Sequence, residues 1–449
     1  MANYVVQDTQ LTSVANAIRA KGGTSAQLEW PQGYIDAVDA ITTGGSASVA
    51  VEKAVNFRDY DGTVVYSYTA DEFAALTAMP DNPDHSGDEI PLTAQGWNWS
   101  LTDAQAYVAK YGRLEVGQMY ITTDGKTHIL IHLEKGRTSP MLGCCPDGTV
   151  DVDWGDGTEH DTLTGTSTTT VMWTPTHNYA APGDYDIRLT VTGSMGFYGN
   201  SANTQSSGLL RYASGADNRN QVYQNTIQKV KVGRGVTSIG SGAFKSCYSL
   251  LSINIPDSIT SIDTYMFNGC SSLSSISIPD SVTSIGESAF QGCSSLSSVS
   301  IPDSVTSIMG LVFSSCQNLS SIGIPDSVTS IGTSVFNYCS GLSSISIPDS
   351  VTSIDSSAFS YCPSLVNISI PGGVTSIKSK MFYNCYGISE YHFASTTPPT
   401  LASTNAFNGI VADCIIYVPY SEDHSILEAY KTATNWSTYA SYMQEEPQA

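Results

Sequence analysis

From residue 227 onward the apolar positions return with a fixed spacing. Leu273, Ile276 and Ile278 are followed by Val282 and Ile285, and then by Phe290 and Cys293; Ser, Thr, Asp, Gly and Pro fill the places between. The register is 23 residues. Cys247, Cys270, Cys293, Cys316, Cys339, Cys362 and Cys385 keep it, as do Phe244, Phe267, Phe290, Phe313, Phe336, Phe359 and Phe382. Ile239, Ile262, Ile285, Ile308, Ile331, Ile354 and Ile377 keep it too, and prolines join from Pro256 to Pro371. Each unit reads L-S-S-I-S-I-P-D-S-V-T-S-I-G-x-S-A-F-x-x-C-S-S. The L-x-x-I-x-I run predicts a short strand whose intervening side chains face outward. Pro-Asp turns the chain, V-T-S-I makes a second short β run, and G-x-S-A-F-x-x-C fits a helical or 3-10 turn. One coil cannot enclose its own Leu, Ile, Val, Phe and Cys, so neighbouring coils must stack to form the core.

The rest of the chain has other periods. In residues 1–45, Asp8 or Thr9 can cap a helix carrying Leu11, Val14, Ala15 and Ile18, ended by Gly22-Gly23; a second carries Ile35, Val38 and Ile41. Residues 46–118 predict a mixed α/β segment. It has strand character from Val55 to Tyr68, an acidic loop, and a helix after Thr102-Asp103 with Ala104, Tyr107, Val108 and Tyr111 on its apolar side. Trp97 and Trp99 alternate, so one of them can stand exposed as a stacking platform or both can pack. Residues 119–193 read as β throughout, with Ile187, Leu189 and Val191 in strict alternation. Residues 194–226 have no period; they are expected to connect to the repeats and to cover the first coil.

The 23-residue units resemble the BspA-like subclass of leucine-rich repeats over roughly residues 227–418. The run TTPPTL…NAFNG…CIIYVPYSEDHSILEAYKTATNWSTYA resembles that family's C-terminal cap. VDVDWGDGTEHD followed by HNYAAPGDYDIRLTVTG resembles a PKD-type Ig-like domain, which implies a two-sheet β-sandwich serving as a spacer or adhesion module. LTSVANAIRAKGGTSAQLEWPQGYIDAVDAI resembles N-terminal segments of bacteriophage tail and baseplate-associated proteins, which implies attachment to a tail structure. The expected fold is therefore mainly β: a BspA-like solenoid at 227–393 with a terminal repeat and cap at 394–449. An Ig-like sandwich at 119–193 and a small helical segment at 1–45 precede it.

Chemistry narrows the function. The net charge of −22 argues against a nucleic-acid partner, which would need a basic face. No run is long enough to insert in a membrane, and the first 20 residues lack the basic and apolar regions of a signal peptide. The cysteine ladder aligns with Phe, so its thiols are expected to be reduced and buried. Cys144-Cys145 and Cys414 lack a CxxC partner or a His at metal spacing. Asp151, Asp153 and Asp156 are hard ligands suited to Ca²⁺, yet they miss the spacing of an EF-hand loop, and Asp156-Gly157 fits a turn. No phosphate loop, G-x-S-x-G elbow or HExxH is found. His128 and His132 share one strand face, where packing accounts for them. No enzyme, cofactor or metal is expected.

Binding candidates come from comparing coils. The strand columns Ser252, Ser275, Ser298, Ser321, Ser344, Asn367 and Asn254, Ser277, Ser300, Gly323, Ser346, Ser369 predict a flat hydroxyl floor. Variation concentrates around the Phe and Cys, where Tyr265, Asn337, Tyr338, Tyr361, Tyr383, Asn384 and Tyr386 form a candidate ligand-contacting edge, the other reading being solvated turns that drift because packing does not fix them. Together these features predict a bacteriophage tail-fibre or receptor-binding protein in the virion tail. The solenoid would meet a bacterial surface receptor, glycan or protein, and residues 1–45 would meet tail or baseplate proteins. Fibre symmetry implies a homo-oligomer such as a trimer. The alternatives are a BspA-like adhesin on the bacterial cell surface and a spacer or decoration protein without a ligand.

Overall fold

A computed structural model describes residues 55–58, 64–85, 92–97, 101–111, 114–122, 124–135, 138–197, 209–212 and 225–448. The helical segment expected at 1–45 lies outside them. Strands β1 (Val55–Arg58), β2 (Val64–Tyr68), β3 (Leu92–Trp97) and β4 (Leu114–Thr122) form a sheet in the order β2-β1-β4-β3, with β1 and β4 parallel. Helix α1 (Ala70–Ala74) starts at a reciprocal cap between Thr69 and Glu72; α2 (Leu101–Tyr111) follows β3. Val55, Phe57, Phe73, Trp97, Ala104, Val108 and Val116 bury one small core. Trp97 belongs to that core: its indole meets Phe57 edge to face at 4.8 Å and donates to the Pro80 carbonyl at 2.8 Å. Trp99 lies outside the described residues. β4 runs on to Thr122, so a boundary at 118/119 would cut a strand.

Next come β5 (Thr127–Leu133), β6 (Pro140–Asp153), β7 (Asp161–Thr166), β8 (Met172–Trp173), β9 (Gly183–Phe197) and β10 (Leu210–Tyr212). The W-G-D-G-T and H-x-Y motifs meet here. Trp154 stacks on His177 at 4.5 Å, His177 pairs with Asp156 at 2.9 Å, and the Tyr179 hydroxyl donates to the Trp154 carbonyl at 2.9 Å. The PKD-type resemblance implied a two-sheet sandwich; what the hydrogen bonding shows is a module of strands joined edge to edge. β6, β9 and β5 are successive neighbours in one continuous sheet, which β7, β8 and β10 join through β6.

That sheet continues into the repeats. β11 (Ile227–Lys231) pairs antiparallel with β5 and parallel with β13 (Ser252–Ile253), while β12 (Val236–Ile239) lies parallel to the end of β9. The expected breaks at 193/194 and 226/227 are therefore bridged: β9 crosses the first, and β11 ties both sides of the second together. One apolar core runs from Ile129 in β5 to Met443 near the C-terminus. The antiparallel module closes the end of the solenoid, where an uncovered first coil would expose apolar side chains and a free strand edge.

In the coils, strand pairs such as Ser275–Ile276 with Ser298–Val299 and Ser330–Ile331 with Ser353–Ile354 are parallel and one repeat apart. The seven phenylalanines are buried and stack at 5.5–5.8 Å, with planes within 12° of each other. Phe197 of β9 meets the first ring edge on, and Phe407 continues the stack past the last. All ten cysteines are free and buried. From Cys270 to Cys385 each ladder thiol donates to the carbonyl of the Phe 26 residues earlier, at 2.8–3.2 Å. The Ser of Pro-Asp-Ser ties coils as well: Ser281, Ser327 and Ser350 donate to Ile259, Val305 and Val328.

The far end is closed by Phe407, Tyr430 of α3 (Ser425–Thr432), Trp436 and Tyr439. Trp436 donates to Pro399 at 2.7 Å and Tyr430 to Ser395 at 2.9 Å. A final strand, Met443–Glu445, covers Ile415–Val418, and His392 and His424 hold Glu446 and Glu445 at 2.7 Å each. Among the described residues no helix is long and apolar enough to cross a membrane.

Candidate recognition surface

The turn from G-x-S-A-F to x-x-C has a backbone that the sequence pattern does not announce. Two residues per coil take left-handed φ. One column is Gly242, Tyr265, Ser288, Leu311, Ser334, Ser357 and Lys380; the other is Ser246, Gly269, Gly292, Ser315, Tyr338, Tyr361 and Asn384. Their φ values run from 57° to 79°. The expected helical turn is only half right, because its N–H groups divide between two directions. Met266, Asn268 and Cys270 donate three residues back within their coil, whereas Tyr265, Phe267 and Gly269 donate to Glu287, Ala289 and Gln291 of the next. The left-handed residues swing alternate N–H groups along the solenoid axis, so the turn satisfies its backbone in both directions.

This geometry places most of the expected contact residues. Tyr338, Tyr361 and Asn384 occupy successive coils of one left-handed column, and Tyr383 precedes Asn384. The Tyr338 and Tyr361 rings stack at 4.4 Å and 9°, and Tyr361 meets Tyr383 at 5.6 Å and 56°. Tyr338 is 47% exposed and Tyr386, just past Cys385, is 53% exposed. Asn337 is half-buried beside Tyr338. Tyr265 stands apart, three coils toward the N-terminus in the other left-handed column, with the Lys245 ammonium 4.8 Å over its ring. Lys380 covers Tyr383 in a similar way at 5.7 Å. Desolvation and the neighbouring Tyr338 raise the Tyr361 phenol above its usual value, so it stays neutral.

The sequence reading missed Leu311 and Lys380 as left-handed positions, and Tyr248, an exposed ring that leans over Gly269. The recurring glycines Gly242, Gly269 and Gly292 were the available signal. The hydroxyl floor is also corrected. Ser252, Ser275, Ser298 and Asn254 are buried, Ser321, Ser277, Ser300, Gly323 and Ser346 are half-buried, and only the C-terminal members Ser344, Asn367 and Ser369 are exposed. Asn254 bonds the Val232 backbone with both ends of its amide.

The acidic turn of the β module is internally paired. Asp151 meets His160 at 2.9 Å, Asp153 accepts from Gly155 N–H and Arg188, and Asp156 accepts from Thr158 while pairing with His177. His128 bridges Asp186 and Asp124 at 2.9 and 3.1 Å. Burial works against its charge, but the two carboxylates prevail and raise its pKa. Burial alone pushes the Cys293 and Cys339 thiols up to about 12, far from the nucleophilic thiolate range.

Comparison with known proteins follows the repeats. Residues 218–342 and 283–411 match the BspA type leucine-rich repeat region, in six copies. Among solved structures, the chain is similar to a T. pallidum leucine-rich repeat protein at 30% identity, covering 34% of this chain and 72% of that one, with a TM-score of 0.32. It is similar to a leucine-rich cell surface protein from Faecalibacterium prausnitzii at 28% identity, covering 48% and 65%, with a TM-score of 0.32. A leucine-rich repeat protein from Bacteroides ovatus is 20% identical, covering 66% and 98%, with a TM-score of 0.24. No curated protein matches the sequence.

Proposed function

From a chain whose residues 218–411 are BspA-type leucine-rich repeats, we infer a non-catalytic recognition protein that uses the Phe–Cys turn edge of its solenoid to hold a ligand on a cell surface. One observation carries this reading. Tyr338 and Tyr361 sit at left-handed positions where other coils have Gly269 and Gly292. A left-handed conformation costs an L-residue roughly 1–2 kcal/mol, and Tyr338 stacks on its ladder neighbour while staying 47% exposed. Ser246, Ser315 and Asn384 hold the same φ in other coils, so the coil-to-coil hydrogen bonding requires it; what sets Tyr338 and Tyr361 apart is that the turn holds a stacked aromatic pair there, with Tyr338 open to solvent. Exposed Tyr also brings contact area at small entropic cost.

Display on a bacterial surface, as an adhesin, is the setting we favour, and the repeat family supports it. A second setting, a bacteriophage tail fibre, is favoured by the resemblance of residues 1–45 and would bring symmetric homo-oligomers with it. Antibody against the solenoid separates the two: labelling of intact producing cells supports the first, and labelling of purified virions the second. The recognition reading itself is tested with fluorescently labelled full chain and a panel of intact bacterial and epithelial cells. Saturable binding that falls at least tenfold in the double variant Tyr338→Gly/Tyr361→Gly is expected. Equal binding by that variant, or no binding to any cell, would overturn it.

A further inference from the structure

We propose that the open face of Tyr338 is a subsite for a pyranose ring of an uncharged glycan; this rests on the recognition reading above and names its ligand class. The Tyr338 and Tyr361 rings are parallel at 4.4 Å, near the ~4.8 Å spacing of neighbouring strands, so their planes lie across the solenoid axis. Tyr361 covers one face of Tyr338. The other face looks toward the preceding coil, where the equivalent residue is Ser315, and beyond it Gly292. Neither is large enough to cover a ring, and Tyr338 stays 47% exposed. The ladder therefore ends on a bare aromatic face with one ring's place vacant next to it, over Ser315.

The neighbouring residues select what fills that place. Across residues 304–348 the only charged side chain is Asp326, in the exposed Pro-Asp turn at the other end of the coil's sequence from the Phe–Cys turn. With no charged side chain in the two Phe–Cys turns that border the vacant place, 309–316 and 332–339, and a chain of net charge −22, nucleic acids, acidic polysaccharides and phosphorylated ligands lack a counter-charge next to it. A hydrophobic peptide anchor would need an apolar pocket, whereas the neighbours of Ser315 and Tyr338 that reach solvent are the exposed Gln317 and Asn318 and the half-buried Asn337. Amides and hydroxyls offer the paired donors and acceptors that vicinal sugar hydroxyls require. A pyranose presents an apolar C–H face to an aromatic ring and hydroxyls around its rim. It matches a Tyr face bordered by amides, and no ionised group is needed on either side.

The test uses full-length protein and isothermal titration with defined neutral probes: maltoheptaose, cellohexaose, a mannan, a galactan and a β-1,4-linked N-acetylglucosamine hexamer. At least one is expected to bind, with Tyr338→Phe within about threefold of wild type and Tyr338→Gly weaker by tenfold or more. Ser315→Leu is the sharper variant: it lays an aliphatic side chain over the bare face without offering a new aromatic face to Gly292, at a φ like the one Leu311 already holds, and should abolish binding with the circular dichroism spectrum unchanged. Retained affinity in Ser315→Leu, or no binding of any probe, overturns the proposal. Cells separate the two levels of the reading. Binding lost after periodate treatment of the cells and kept after protease supports the glycan. The opposite pattern rejects the glycan and leaves surface recognition standing.

Discussion

At Tyr338 the backbone φ is 61°, a value that the same column meets with glycine at Gly269 and Gly292. Substituting glycine there relieves roughly 1 kcal/mol of backbone strain and gives up a ring pair worth about 0.5–1.5 kcal/mol. The two nearly cancel, so Tyr338→Gly is expected to melt within about 3 °C of wild type although binding is lost. A drop above 8 °C in calorimetry would mean that the ring is structural. The ladder thiols give a contrasting case. Cys316 is buried and donates to the Phe290 carbonyl at 3.2 Å, so Cys316→Ala leaves that acceptor without its thiol and opens a small cavity, a loss of about 1–3 kcal/mol. With burial holding Cys293 near 12, a thiol reagent at pH 8 should label almost none of the ladder in the native protein, and ten cysteines per chain in denaturant without reductant. Fewer than ten would reveal a disulfide. That these cysteines pack as small hydrophobes was legible from their alignment with Phe. Their bond to a carbonyl one coil back was not, because a sequence period fixes which residues align but not the offset at which their atoms meet.

At the level of elements, β5 and β9 are joined by the His128–Asp186 pair as well as by their ladder. His128 has a raised pKa when folded, so its stabilisation is fully present below the unfolded value of about 6.5 and disappears as pH rises through the folded value. Asp124 and Asp156 are lowered by their hydrogen bonds and His partners, against the opposing effect of desolvation. Their contribution is present above about pH 4 and is lost as pH falls through the depressed values. The melting-temperature difference between wild type and His128→Gln is expected to be largest near pH 6 and to shrink toward pH 9. A difference independent of pH would remove the ion pair from the account. Strand identity in β5 and β9 followed from alternation, as Ile129, Ile131 and Leu133 bury one face. Which strands lie side by side did not follow, since β5 meets β11 about a hundred residues away.

For the whole molecule, one core from β5 to the C-terminal strand makes the coils interchangeable and the ends indispensable. Removing residues 298–320, one 23-residue unit, rejoins the chain in phase and should leave a folded, soluble protein with a melting temperature within a few degrees, as expected when stability is a sum over coil interfaces. Removing residues 415–449 takes away Tyr430, Trp436 and Tyr439, whose burial contributes on the order of 5–9 kcal/mol, comparable to the stability of a whole domain. That truncation should aggregate in size-exclusion chromatography. A soluble, cooperatively melting product would show that the cap is dispensable.

The sequence by itself determined the coil: its length, its inward Leu, Ile, Val, Phe and Cys, and the need for closed ends. Each of these depends only on which residues avoid water, and a repeating pattern records that directly. The tertiary structure decided three things that no local pattern carries. It joined the antiparallel module to the first coil through β11 and β12, it buried the serine floor at Ser252, Ser275 and Ser298, and it turned Tyr338 and Tyr361 outward on left-handed backbone. Strand pairing across a long loop is set by chain closure and shared burial, and a left-handed turn by hydrogen bonds to the neighbouring coil, so both exist only once the coils are stacked.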